Sequence, residues 1–147
     1  MTGASGDGKE YRVRGREEVL DETERKSSEI LDLMKVKARV TKPGAGVMGC
    51  SGSQDERTYR GWHPWSIWDV SVEELNEVME RLRRSLPKAG WAIVKDGHDN
   101  TPAKSEQILA ESRKDGFAVD IRLRDRRQHK KTSIISVTVN SLCYRFK

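Results

Sequence analysis

The residues best suited to ligand chemistry form an aromatic cluster near the middle of the chain. Three of the four tryptophans fall within seven residues, and Tyr59 and His63 lie beside them. At the two-residue period of a strand, Trp62 and Trp68 share one face and Trp65 takes the other. Packing between helix and sheet is the favoured role, and an exposed remainder could stack on sugars, peptides or bases. The candidate ligand-binding aromatics are Tyr59, Trp62, Trp65 and Trp68.

A second group of interest is basic. Residues 112–147 carry ten basic and three acidic side chains, whereas the whole chain has a net charge of +5. Such asymmetry can indicate nucleic acid, anionic lipid or an acidic partner, but a solvated sheet face and basic turn explain it as well. The interleaved aromatics of an RNA-binding sheet are missing, so specific nucleic-acid binding is not expected. The candidate anion-binding residues are Arg122, Arg124, Arg126, Arg127, Lys130 and Lys131.

Other combinations that carry chemistry are weak. His63, His98 and His129 lie in three separate segments, and none has a histidine four residues away as helical metal sites do. No Gly-x-Ser-x-Gly nucleophile elbow occurs in the chain. The sequence therefore predicts no metal, no cofactor and no catalytic residue, and a small hydrolase using a histidine is the weakest alternative.

The two cysteines, Cys50 and Cys143, are too far apart for a CxxC motif and too few for a four-cysteine zinc site. An even count permits one disulfide, and the alternative is two buried free thiols. Because disulfides persist in oxidising compartments, the answer depends on where the protein resides. Unbroken strand alternation would place Cys143 on the core face with Val137 and Val139.

These residues must be positioned by one domain, because 147 residues is the length of a single domain. Residues 1–15 are rich in small and polar side chains and are expected to form a flexible tail, although Tyr11–Arg14 could add an edge strand instead. Residues 16–147 are expected to form the domain. No apolar segment follows Met1, so either the protein is cytoplasmic or an export signal lies outside this sequence.

Periodicity predicts the order of the elements. Three- and four-residue spacing indicates a helix over 16–38, and Ser71 with Glu74 forms a capping box for a second helix that ends near Pro87. Strands are predicted near 57–69, 91–95, 106–114, 117–124 and 133–144, with Pro64 bending the first or placing it at an edge. Consecutive strands joined by short turns pair antiparallel. We therefore expect an α+β two-layer sandwich, with two helices packed on one face of a mostly antiparallel sheet of four to five strands.

Several short motifs carry a resemblance to a known group of proteins. They are a Pro-Gly-Ala-Gly-Val loop with a cysteine (Pro43–Cys50), a Glu-Leu-x-x-Val-x-x-x-Leu-Arg-Arg helix (Glu74–Arg84), Ala-Gly-Trp (Ala89–Trp91), Asp-Gly-Phe (Asp115–Phe117) and Ser-Leu-Cys (Ser141–Cys143). With them, residues 16–147 resemble small exported proteins and lipoproteins of actinobacteria, most of which have no assigned activity. The resemblance implies that Cys50 and Cys143 pair. It also implies an extracytoplasmic location, with membrane tethering through a lipidated N-terminus that is not in this sequence.

Three functions follow as hypotheses. The first is a non-catalytic, exported or membrane-tethered domain that binds a protein partner or a small ligand. The second is a cytoplasmic nucleic-acid-binding module that uses the basic C-terminal quarter. The third is the small hydrolase.

Overall fold

The computed structural model describes residues 11–50 and 57–147, which contain two α-helices and nine β-strands. Helix α1 spans Arg16–Met34 and helix α2 spans Val72–Lys88. The strands are β1 (Val13–Arg14), β2 (Arg39–Thr41), β3 (Gly46–Gly49), β4 (Thr58–Trp68), β5 (Ala92–His98), β6 (Glu106–Ser112), β7 (Phe117–Arg124), β8 (Ile134–Ser141) and β9 (Tyr144–Phe146).

All nine strands belong to one mostly antiparallel sheet. Its centre is β4-β8-β7-β6-β5, in which neighbouring strands are antiparallel. Strands β2 and β3 pair with the other edge of β4, and β9 pairs with β4 beyond the end of β8. Strand β1 pairs with β9 and is the parallel member of the described sheet. The α+β class is confirmed, but the expected four to five strands cover only β4–β8, because the other strands are too short to show a period.

Helix α2 forms because its apolar residues recur along one stripe. Leu75, Val78, Met79, Leu82 and Leu86 are buried, and Ser71 Oγ accepts a hydrogen bond from the Glu74 amide at 3.1 Å. This bond is the predicted N-terminal cap.

Helix α1 ends four residues earlier than predicted. Its last residue is Met34, because Lys35 adopts a left-handed conformation with φ 48°. The chain then enters β2 at Arg39. The basic residues that follow the apolar positions of α1, namely Lys35, Lys37 and Arg39, therefore lie outside the helix.

Both helices contribute to a core on one face of the sheet. The buried cluster combines residues of α1 and α2 with the alternate side chains of the long strands, among them Trp65 and Ile67 of β4, Ile121 of β7 and Val137 of β8. We call this the covered face. The side chains between these positions lie on the opposite, uncovered face, as an antiparallel sheet with one solvated side requires.

Pro64 falls where β4 has a break in its outer pairing. Strand β3 pairs with residues 59–62 and β2 with residues 66–68, so the outer edge around Pro64 carries no ladder partner. A residue without an N–H interrupts a sheet least at such an edge. On its inner edge β4 continues to pair with β8 through Pro64 and Thr138.

The expected tail at residues 1–15 is wrong at its C-terminal end. Val13 and Arg14 form β1, and the Arg145 amide donates to the Arg12 carbonyl at 2.8 Å. Backbone pairing with β9 outweighs the weak local preference of this short segment, so the alternative of an added edge strand is the better description. Residues 1–10 of the predicted tail lie outside the described residues.

Candidate functional site

Strand β4 divides the four candidate aromatics between the two faces. Tyr59 and Trp65 are 1% and 4% exposed on the covered face, where they belong to the core. Trp62 and Trp68 are half-buried on the uncovered face. The alternation predicted for the three tryptophans is correct, and only Trp62 and Trp68 can meet a ligand without unfolding.

Trp62 lies beside open space. Its register partners are Gly46 on β3 and Asn140 on β8. A Cβ atom added at Gly46 would meet nothing within 4 Å among the described residues beyond its chain neighbours, so there is open space at the register position beside Trp62. Arg60 precedes Trp62 by two residues on the same face, and its Nη2 atom lies 3.5 Å from Cys143 Sγ.

Trp68 is held by strand β2. Its Nε1 donates to Thr41 Oγ1 at 3.1 Å, and the Arg39 guanidinium lies 5.3 Å from the ring centroid. Arg39 also approaches Asp69 Oδ2 at 3.3 Å. On the inner side, Ile134 lies one residue beyond the Ile67–Ile135 pair and is itself in register with Arg124. The Arg39 guanidinium therefore lies over Trp68, and Arg124 lies on the same face two strands away, beyond Ile134.

Small polar side chains fill the interval between the two tryptophans. Ser66 is in register with Ser136, and Pro64 with Thr138. Asn140 follows at the Trp62 end. Hydroxyl and amide groups at these positions offer both donors and acceptors to a ligand lying along β4.

An ionised network occupies the neighbouring part of the uncovered face. The Arg122 guanidinium donates to Asp120 Oδ2 at 2.9 Å and to the buried Asp99 Oδ2 at 3.1 Å. Burial raises the pKa of Asp120, but hydrogen bonds from Arg122 and from Gln107 Nε2 more than compensate, so its pKa is lowered. Asp120 therefore remains a carboxylate at neutral pH. Among the described residues, Gln107 Oε1 is buried without a hydrogen-bond partner.

The six candidate anion-binding residues do not form one patch. Arg122 is paired with Asp99 and Asp120, as described above. In the β7–β8 connection, Arg127 makes two hydrogen bonds to Asp125 at 2.9 and 2.7 Å, and these lower the pKa of Asp125 to about 2.

The remaining four differ in what surrounds them. Arg126 Nε donates to the Thr132 carbonyl at 2.7 Å, and Lys130 and Lys131 are exposed. Arg124 donates from Nε to Ser136 Oγ at 3.1 Å. Arg124 therefore lies on the uncovered face near Trp68, whereas the connection is mostly neutralised or solvated.

Cys50 and Cys143 form a disulfide, which confirms the pairing that the resemblance implied. It links the end of β3 to the start of β9. The placement of Cys143 on the core face is wrong: between the Trp62–Asn140 and Tyr59–Tyr144 pairs, the β8–β9 segment has one residue more than β4. This bulge at Leu142–Cys143 reverses the alternation. Cys143 consequently contacts Arg60 instead of the core.

His63 is part of a buried hydrogen-bonded chain. Its Nδ1 lies 2.6 Å from Ser27 Oγ on α1, and its Nε2 lies 2.5 Å from the Pro43 carbonyl. A carbonyl only accepts, so Nε2 carries the hydrogen and Nδ1 of a neutral ring accepts from Ser27. Both side chains are fully buried. The pair therefore ties the β2–β3 connection and α1 to β4, and a substrate would not reach Ser27 in this arrangement.

Other site classes and known proteins add no further candidate. Within residues 11–50 and 57–147, no three His, Cys, Asp or Glu side chains cluster closely enough to hold a metal ion. Neither described helix combines the length and apolar character needed to cross a membrane. Comparison with family models, curated proteins and solved structures found no match to the chain.

Sequence reasoning missed several residues around the two tryptophans. Arg39 and Gly46 come from segments that have no visible pairing before the sheet is known, whereas Arg60 lies in the predicted strand but was not among the candidates. Only the alternation of β4, which places Arg60 on the same side as Trp62, was readable in advance.

Proposed function

We propose that the protein is a non-catalytic binding domain of an extracytoplasmic compartment, and that it binds its ligand on the uncovered face of the sheet. The observation that carries this proposal is the pair of half-buried tryptophans, Trp62 and Trp68, on a face that neither of the two described helices covers. Large aromatic side chains on such a face are typical of recognition surfaces, because an indole supplies apolar area and a hydrogen-bond donor together.

Core packing does not account for these two side chains. The core on the opposite face is complete with Trp65, Ile67 and the buried residues of both helices. Arg60 and Arg124 add positive charge on the same face, and neither is hydrogen-bonded to a carboxylate in the part of the chain that the structure describes, although the charge of Arg124 acts on Asp120. A face that combines aromatic surface with cations free to pair favours ligand binding over a purely solvated face.

The disulfide supports the extracytoplasmic part of the proposal. Bonds such as Cys50–Cys143 persist in oxidising compartments and are rare in the cytosol. Export, and tethering to a membrane through a lipidated N-terminus, are the further steps that the resemblance to exported actinobacterial proteins adds. Recovery of the protein from its source cells with both thiols free would contradict this compartment.

Nucleic acid is the second candidate ligand. The same four residues, Trp62, Trp68, Arg60 and Arg124, could stack bases and neutralise phosphates, which is how single strands are bound without sequence preference. This candidate places the contact on the uncovered face and not on the β7–β8 connection. The cytoplasmic location that it requires is harder to combine with the disulfide.

Solution NMR with a panel of probes tests the binding face. The probes are hexagalacturonate, cellohexaose, a short oligothymidylate and an amphipathic peptide. We expect at least one probe to shift the amide signals of β4 and β8 around Trp62 and Trp68. The double variant Trp62→Ala/Trp68→Ala should lose those shifts and remain folded, with a melting temperature lowered by only a few degrees. Shifts confined to the helices, or none from any probe, would contradict the proposal.

A further inference from the structure

Building on this proposed function, we propose that the uncovered face binds an extended acidic polysaccharide, which lies along β4 and contacts both Trp62 and Trp68. The length of the site, its charge and the side chains between the two indoles favour such a ligand, and the open space beside Trp62 leaves room for it.

The two tryptophans set the length of the site. Trp68 lies six positions after Trp62, which is about 20 Å at roughly 3.3 Å per residue along a strand. A ligand that contacts both indoles must therefore be several sugar units long. The apolar faces of pyranose rings suit flat stacking on indoles, as other ring faces do.

Positive charge lies at both ends of this site. Arg60 is two residues from Trp62, and the only hydrogen bond of its guanidinium within the described chain is to Cys143 Sγ. Arg124 lies across Ile134 from Trp68 and donates only to Ser136 Oγ among the described residues. Both guanidinium groups keep donors available for a carboxylate, which they can bind with two parallel hydrogen bonds. The ligand is therefore expected to carry carboxylates.

The middle of the site favours a polysaccharide over a nucleic acid. Its side chains are Ser66, Ser136, Thr138 and Asn140, which match the hydroxyl groups of sugars. Asp120 is in register with Thr138, and its lowered pKa keeps it ionised. A carboxylate accepts hydrogen bonds from hydroxyls, which every unit of a polysaccharide carries, whereas a single DNA strand has no 2′-hydroxyl to donate.

Gly46 permits a variant that blocks the site without disturbing the core. It is in register with Trp62, its backbone has no positive φ, and an added Cβ atom would meet nothing within 4 Å among the described residues beyond its chain neighbours. Gly46→Val should therefore fold normally and cover the free side of the indole. Gly49→Val is the matched control, because Gly49 has the same open surroundings on the same strand but pairs with Tyr59 of the covered face.

Titration calorimetry with hexagalacturonate tests the inference. We expect saturable binding that weakens with salt, and about a tenfold loss of affinity in Trp62→Ala, Trp68→Ala or Gly46→Val, the size of one stacking contact. Arg124→Gln should lose about threefold, as a solvent-accessible ion pair does. Gly49→Val should bind like the wild type. So should Arg84→Gln, which removes an exposed charge from α2.

Four outcomes would overturn the inference. They are no binding of hexagalacturonate, equal affinity for neutral cellohexaose, tighter binding of oligothymidylate, and unchanged affinity in Gly46→Val. If cellohexaose or oligothymidylate binds and Trp62→Ala abolishes that binding, the ligand class is wrong and the proposed binding face stands. If no probe in the NMR panel shifts an amide of that face, the proposed function fails as well.

Discussion

The covered and uncovered faces of the sheet are built from the same strands but differ in what their side chains do. On the covered face, alternate residues of β7 and β8 are apolar and buried against α1 and α2. On the uncovered face, the intervening residues are mostly polar, and many of them are paired within the face. The covered face therefore supplies stability through burial, and the uncovered face supplies chemistry.

Strand β4 shows the difference within a single residue type. Trp65 is buried in the core, whereas Trp62 and Trp68, three residues to either side, lie on the uncovered face. Position in the alternation decides whether an indole packs the core or meets solvent. A cluster of tryptophans in a sequence is thus informative only after its members have been divided by face.

The largest expected effect on stability comes from removing the disulfide between Cys50 and Cys143. Replacing both Cys50 and Cys143 with serine should lower the free energy of unfolding by about 4–5 kcal/mol, because the disulfide closes a 93-residue separation in the unfolded chain. Chemical denaturation of the oxidised protein and the double variant measures this. Thiol titration of the denatured, unreduced wild type should find no free thiol. Two free thiols would show that the pair does not form in solution.

The next largest effect on stability distinguishes the buried Trp65 from Trp62 and Trp68 on the uncovered face. Trp65→Ala should cost about 3–5 kcal/mol of stability, because it removes a buried indole from the core. Trp62→Ala and Trp68→Ala should each cost no more than about 1 kcal/mol, because their indoles lie on the uncovered face. Denaturant titration of the three single variants gives the comparison. Similar losses in all three would mean that the two faces do not differ as described.

The parts of this comparison that depend on periodicity were predictable. Helix α2, its Ser71 cap, the alternation of β7 and β8, and the division of the tryptophans all follow from spacing in the sequence. Each of these elements is long enough for its pattern to repeat several times, so local and tertiary preferences agree.

The parts that depend on pairing between distant segments were not predictable. Strand β3 lies in a stretch interpreted as a glycine-rich loop, and it forms because β4 supplies the backbone partners. The bulge at Leu142–Cys143 changes the face of Cys143 without a sequence signal of its own. Arg122 was a candidate anion-binding residue, but Asp99, which follows strand β5, and Asp120 of β7 neutralise it. Tertiary context overrides local preference in each case.

A smaller loss of stability is expected when β1, the short strand beside β9, is removed. A chain that starts at Arg16 lacks β1, and with it the Arg14 hydrogen bond to Glu22 at 2.8 Å and the acceptor for the Tyr59 hydroxyl. We expect a loss of about 1–3 kcal/mol, the range for losing hydrogen bonds of partly buried groups. Thermal unfolding measures it against a control chain that starts at Tyr11. Identical melting temperatures would show that β1 adds nothing to the fold.

Asp99 gives the uncovered face a pH-dependent contribution to stability. Hydrogen bonds from Thr101, its hydroxyl first, outweigh desolvation and, with the Ser105 amide and the charge of Arg122, lower the pKa of Asp99. A carboxylate with a lowered pKa stabilises the fold above its ordinary pKa of about 4, and this contribution is lost as the pH falls through the lowered value.

Asp99→Asn should therefore lower the melting temperature by several degrees at pH 7 and have less effect as the pH falls toward 2. Melting curves of the wild type and the variant between these pH values measure the difference. The wild type should lose stability more steeply below pH 4 than the variant. Parallel curves would show that Asp99 does not titrate with folding.

The smallest effect is expected in the β7–β8 connection, which carries much of the basic charge but lies away from both tryptophans. Because Arg127 is paired with Asp125 and Arg126 with the Thr132 carbonyl, only the exposed Lys130 and Lys131 are free there within the described chain to bind phosphates. Two phosphate contacts give a weak, salt-sensitive attraction that physiological salt largely removes. Lys130→Gln/Lys131→Gln should therefore change stability by less than about 0.5 kcal/mol and slightly lower the salt at which the protein elutes from phosphocellulose. Sub-micromolar binding of a defined oligonucleotide at physiological salt, lost in this double variant, would move the nucleic-acid contact from the uncovered face to the connection.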